Sequence, residues 1–129
     1  AGYVGELLAN EATVGPTAAS VSGTAFNIGS ISLTAGTWIV YGQGILLPGS
    51  VTGNTYLAFD LNTTSATLRD ATNLTRVGIL GKTSNTSTGC LPLIVNVSST
   101  TTVYAIGQYD FSAVGTSVMR AALTAVRIA

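Results

Sequence analysis

Few residues in this 129-residue chain could do acid–base or nucleophilic chemistry. Five carboxylates, Glu6, Glu11, Asp60, Asp70 and Asp110, are scattered along it. Five cations, Arg69, Arg76, Lys82, Arg120 and Arg127, bring the net charge to zero. Histidine is absent. That removes the base of the usual Ser and Cys triads and a ligand of most zinc sites. Glycoside hydrolysis needs only two carboxylates, yet the scatter here favours no particular pair. Cys90 stands alone, so no disulfide forms within one chain, and it reads as a buried or half-buried thiol. Gly42-Gln43-Gly44 opens no helix and is no dinucleotide fingerprint. Neither a phosphate loop nor an Asp-rich calcium loop occurs. The expectation is a chain with no cofactor, no metal and no catalytic residue, which binds rather than reacts.

Composition sharpens that expectation. Charged residues make up 8% of the chain, against ~25% in ordinary globular domains. The polar surface must therefore come from Ser, Thr and Asn. With no basic run there is nothing to neutralise phosphates, so no nucleic-acid partner is expected. A basic membrane-binding face is missing, and no apolar run approaches ~18 residues, so no stable membrane insertion is expected. The start has no basic region ahead of an apolar one, which argues against a signal peptide. The abrupt start at Ala1 suggests a fragment of a longer chain. Asn62, Asn73, Asn85 and Asn96 match the glycosylation acceptor pattern, as several Asn residues must in a chain so rich in Ser and Thr.

The length suits one domain, and the patterning is that of strands. Ser30 to Leu46 reads as a hairpin, with Thr34-Ala35-Gly36 as its loop and Gly36 free to take a positive φ. Its second half carries Trp38, Ile39, Val40, Tyr41 and Ile45 on both parities, the pattern of a strand covered on both faces. A small domain has difficulty covering both, so copies of the chain are expected to help. Other strands are expected at 3–9, 55–63, 90–98, 102–111 and 117–128, with a bulge at Gly29 and short β pieces near 74–80. Residues 10–22 and 83–89 read as loops. Leu57, Phe59 and Leu61 are expected in the core, with Tyr56, Ala58, Asp60 and Asn62 facing away. Val103, Ala105, Gly107, Tyr109 and Phe111 share one face of their strand. Met119 to Leu123 favours a helix by propensity, but Val118, Thr124, Val126 and Ile128 and the alternation around them favour a strand. Such a chain is all-β, an antiparallel sandwich, and its two long strand pairs fit a jelly roll. An up-and-down barrel or an immunoglobulin-like sandwich stays open, although the Cys…Trp…Cys spacing of the latter is missing.

Five stretches recur in order: Gly2-Tyr3-Val4-Gly5-Glu6, Ile31 through Trp38, Ser65-Ala66-Thr67-Leu68, Leu91-Pro92-Leu93, and Ser99 through Tyr104. Together they resemble the carboxyl-terminal knob domains of bacteriophage tail fibres and tail needles. The resemblance spans nearly the whole chain and rests on turns and strand starts. It implies a homotrimeric tip with a jelly roll like that of tumour necrosis factor, carried on a virion, touching a bacterial surface receptor such as a glycan or outer-membrane component. Loops differ among such knobs, so no receptor-binding residue carries over.

From the residues themselves, the region Arg69 to Gly89 is the first choice for ligand or receptor contact, with Arg69, Asp70, Arg76 and Lys82 as candidates. Solvated or internal ion pairs are the competing reading of the same charges. Tyr41, Gln43, Tyr104, Gln108, Asp110 and Arg120, on second faces of strands, are the candidates for a subunit interface. Three other functions compete with the virion tip: a structural virion part such as a capsid decoration or trimerisation domain, a carbohydrate-binding module, and a glycan-cleaving enzyme.

Overall fold

The computed structural model describes residues 3–14, 23–47, 56–69, 77–79, 86–110 and 118–129. These residues form nine strands and no helix. The strands are β1 (Leu7–Val14), β2 (Phe26–Leu33), β3 (Gly36–Leu47), β4 (Tyr56–Asn62), β5 (Val77–Ile79), β6 (Thr86–Gly89), β7 (Leu93–Val97), β8 (Thr101–Asp110) and β9 (Val118–Arg127). They build two antiparallel sheets. Sheet A runs β1-β9-β3, with β6 and β7 both paired to the far edge of β3; sheet B runs β2-β8-β4-β5. The final strand is β, as its alternation requires, despite the helix propensity of its middle.

Alternation places the core between the sheets. Trp38 and Val40 from β3 and Met119, Ala121, Leu123 and Ala125 from β9 meet Phe59 and Leu61 from β4 and Val103 and Ala105 from β8. On β2 the inward positions are Phe26 and Ile28, then Ile31 and Leu33. The parity changes because the register slips between Asn27 and Gly29, the bulge expected there. Trp38 is fully buried, and its indole N–H donates to the Thr34 carbonyl at 2.9 Å.

Several local expectations fail for one reason: alternation names a strand's faces but not its neighbours. Ser30 to Leu46 is not a hairpin. β2 pairs with β8 in sheet B, and β3 pairs with β9 in sheet A. The short link at Thr34-Ala35 carries the chain from one layer to the other, so Leu33 and Trp38 both point into the core. Gly36 makes that corner at φ +147°, with Arg127 Nε only 2.7 Å from where a Cβ would stand. The first strand begins later than expected and runs on to Val14, held by β9 over its whole length. Residues 86–89 are strand rather than loop, because β3 is long enough to pair with them.

Ala58 and Asp60, expected to face away from the core, do so, yet both are fully buried. So is Ile106, on the outer face of β8. Asn27, Ile106 and Asp60 form one row across sheet B. The segment 63–69 is pinned at both ends of that row. Ser65 Oγ accepts from the Asn27 side-chain amide at 2.6 Å, the Ala66 amide donates back to Asn27 at 2.7 Å, and the Arg69 amide donates to Asp60 at 2.6 Å. Ala66 takes a left-handed φ of 49°. Sheet B therefore carries a strap on its outer side.

The two sheets approach closely where β3 has glycine. A Cβ on Gly44 would stand 2.5 Å from Cδ2 of the fully buried Phe59. Gly44→Val is expected to destabilise the fold by about 1–3 kcal/mol through overpacking. Urea unfolding followed by the fluorescence of Trp38 measures this.

Candidate functional site

Arg69, the first candidate for receptor contact, is used inside the fold. Its Nε lies 2.8 Å from Asp60 Oδ1, with the two side chains 14% and 0% exposed. Its Nη2 donates to the Leu91 carbonyl at 2.6 Å and its Nη1 reaches the Pro92 carbonyl at 3.4 Å. Those carbonyls are open to it for a sequence reason. Gln43 faces Gly89 and Val40 faces Leu93, so three residues, Cys90, Leu91 and Pro92, stand opposite two on β3. This is a bulge, and Pro92 sits in it because proline has no N–H to give a ladder. The competing reading of Arg69, an internal ion pair, is the one the geometry shows. Asp70, Arg76 and Lys82 lie outside the described residues.

Cys90 lies beside this pair. Burial pushes its thiol up to about 11, with the Asp60 charge acting in the same direction; the Arg69 guanidinium and the Leu61 backbone oppose them. The thiol is thus neutral across the physiological range and a poor nucleophile.

The described carboxylates stay apart. Glu6 lies 3.9 Å from Arg127, Asp60 is under Arg69, and Glu11 stands on the outside of sheet A. The side chain of Asp110 is not among the described ones. No two of the described carboxylates face each other across a cleft.

Five of the six interface candidates, all but Asp110, divide between opposite sides of the sandwich. Tyr41, Gln43 and Arg120 stand together on the outer face of sheet A; Tyr104 and Gln108, half-buried, belong to the outer face of sheet B. They do not form a single surface, because β3 and β9 are in one layer and β8 in the other.

The outer face of sheet A has two ends of different chemistry. At the end where the chain enters, Leu7, Val126, Ile39 and Ile94 form one row across β1, β9, β3 and β7. Leu7 and Ile94 are 65% and 67% exposed. Tyr3, Val4 and Ile128 are also exposed near this end, where Gly5 and Glu6 bond to the Arg127 backbone and Thr37 to that of Ala129. Sequence reading missed this row, since nothing local says which residues of four strands share a level. At the opposite end, Glu11, Thr13, Gln43, Ile45, Arg120 and Ala122 line an open trough of about 320 Å³. There the Gln43 amide donates to Ser87 Oγ at 2.7 Å.

No family model matches the chain, and no curated protein does. Solved structures with a similar path exist. A chain of infectious bursal disease virus, Gt strain, aligns with 97% of this chain and 38% of its own at 11% identity and a TM-score of 0.43. That virus's VP2 subviral particle aligns with 96% of this chain and 38% of its own at 10% identity and a TM-score of 0.44. A structure of Bacillus endospore appendages, a family of disulfide-linked pili, covers 100% of this chain and 95% of its own at 16% identity and a TM-score of 0.45. This chain thus spans well under half of the bursal-virus chains it matches. At such similarity no function is read across.

Two outcomes test the local chemistry. Arg69→Ala leaves Asp60 buried without its partner and is expected to cost about 3–5 kcal/mol, with Asp60→Asn costing less; chemical denaturation measures both. A thiol raised from 9.0 to about 11 contributes stability that is full below pH 9 and is lost as pH rises through 11. At pH 8, iodoacetamide should alkylate native Cys90 about 100-fold more slowly than the urea-unfolded chain.

Proposed function

We propose that the chain is the knob of a virion fibre or needle, a homotrimer that presents itself to a bacterial surface receptor and does no catalysis. The observation that carries this reading is the apolar row Leu7–Val126–Ile39–Ile94. An apolar row across four strands, exposed at Leu7 and Ile94 and half-buried between them, with Tyr3, Val4 and Ile128 exposed nearby, is costly to leave wet. Copies of a neutral chain can cover it without charge repulsion. Ring closure by three is one of the common ways in which soluble chains do so.

The strand pairing supports the finer fold reading. β1 pairs β9, β2 pairs β8, β3 pairs β6 and β7, and β4 pairs β5, a nested set. Nested ribbons wrapped into two sheets are the layout of a jelly roll. Together with the five stretches quoted above, this favours the knob fold and a place on the virion.

One observation favours a second reading, a structural virion part without receptor contact. Arg69, the one cation of the loop region among the described residues, is engaged by Asp60, Leu91 and Pro92. The readings separate by experiment. Sedimentation should return the mass of three chains, and Ile94→Glu should reduce it to one. Isolated trimer in excess should block adsorption of the virus that carries it; unimpaired adsorption would favour the structural part.

A further inference from the structure

We infer that the trough on the outer face of sheet A is a binding site for a short acidic oligosaccharide, a ligand with several hydroxyls and a carboxylate. This names a site and a ligand class for the attachment reading and rests on it.

The trough follows from side-chain size across three strands. β9 runs down the middle, and its outward residues are Arg120 and then the small Ala122 and Thr124. β1 and β3 flank it, two strand spacings or about 10 Å apart, and their outward residues are longer: Glu11 on one side, Tyr41, Gln43 and Ile45 on the other. Glu11, Ala122 and Gln43 share one level; Thr13, Arg120 and Ile45 share the next. Tyr41, 47% exposed, lies one level further along, opposite Thr124. The volume, about 320 Å³, falls at the lower end of small-ligand sites.

The polar groups converge without satisfying each other. Neither Glu11 nor Arg120 takes part in the ion pairs of the described residues, Asp60–Arg69 and Glu6–Arg127. Both are exposed, in a chain whose surface is otherwise almost uncharged. Gln43 is held in place because its amide N–H donates to Ser87, which leaves its carbonyl oxygen to accept. The trough thus offers one planar cation, an amide and a carboxylate acceptor and the Thr13 hydroxyl, with the Tyr41 ring one level beyond it. A guanidinium recognises a carboxylate. Acceptors at Glu11 and Gln43 suit donor hydroxyls. The Tyr41 ring supplies a flat apolar contact with its own hydroxyl at the edge. A phosphate monoester, with its second charge, would be repelled by Glu11 more strongly than the single charge of a uronate, and a purely apolar partner would strand both charges.

Trigalacturonate, with maltotriose as a neutral control, tests this by titration into the folded protein at low ionic strength. Trigalacturonate should bind saturably, with a Kd tighter than about 10 mM, and maltotriose about ten-fold more weakly. Arg120→Gln should bring the acidic ligand to the neutral level, a loss of about ten-fold. Ala122→Trp, which fills the trough, should abolish binding while the sedimentation mass stays as in the wild type. No saturable binding of trigalacturonate, or equal binding by Arg120→Gln, overturns the inference. A change of mass in Ala122→Trp also overturns it, since the face would then be a contact between copies. Adsorption is a separate readout. A trimer that blocks adsorption but ignores trigalacturonate removes the trough and keeps the attachment reading. One that binds trigalacturonate without blocking adsorption keeps the trough and removes attachment.

Discussion

The fold depends on one buried ion pair. Asp60 is an anion with no exposed surface in the middle of β4, and Arg69 is the cation that makes this tolerable. Burial of an unpaired carboxylate costs several kcal/mol. The guanidinium therefore cannot leave, and everything it touches is fixed with it. On one side it ties the strap 63–69 to sheet B; on the other, through Leu91 and Pro92, it holds the edge of sheet A. The two layers are thus joined at one margin by polar bonds as well as by the apolar core. The neighbouring thiol is raised first by burial, with the Asp60 charge adding to it and the Arg69 guanidinium opposing.

Much of the layered architecture could be read from the chain before any coordinate. Aromatic and β-branched residues located β3; period-two alternation located β4, β8 and β9, identified Phe59, Leu61, Val103 and Ala105 as inward, and outweighed helix propensity around Met119. What alternation lacks is a strand's neighbour. A link as short as Thr34-Ala35 serves a hairpin or a change of layer equally well, and only the nested pairing distinguishes them. Gly42 and Gly44 fall inside an expected strand, where nothing local says why the residue should be glycine. They are in fact the places where β3 yields space to Phe59 and Leu61, residues of another strand in the other sheet.

The sites were less legible, for a related reason. Charges in an irregular, Ser/Thr-rich stretch look solvated, so Arg69 invites a functional reading. Its partner Asp60 sits among apolar residues nine positions earlier, in a pattern that reads as ordinary alternation. The strap that buries both is held by Asn27, far off in sequence. Tyr41, Gln43 and Arg120 were marked as second-face residues and do share a face, but Glu11, which completes the trough, lies on β1 at the far end of the chain. The apolar row through Leu7, Val126, Ile39 and Ile94 likewise draws one residue from each of four strands.

The pairing of β1 with β9 has a mechanical meaning. Eight consecutive positions of β1 are matched to β9 in antiparallel register, and the chain reaches β1 past the backbone bonds of Gly5 and Glu6 to Arg127. Tension applied ahead of β1 and directed along it loads this ladder in shear. The hydrogen bonds must then yield together, whereas a peeling load would break them one at a time. β9 is itself zipped to β3 over ten positions, so the load spreads into the middle of sheet A before it meets the core. A domain tethered at this end and held by a contact at the other is built to resist being pulled.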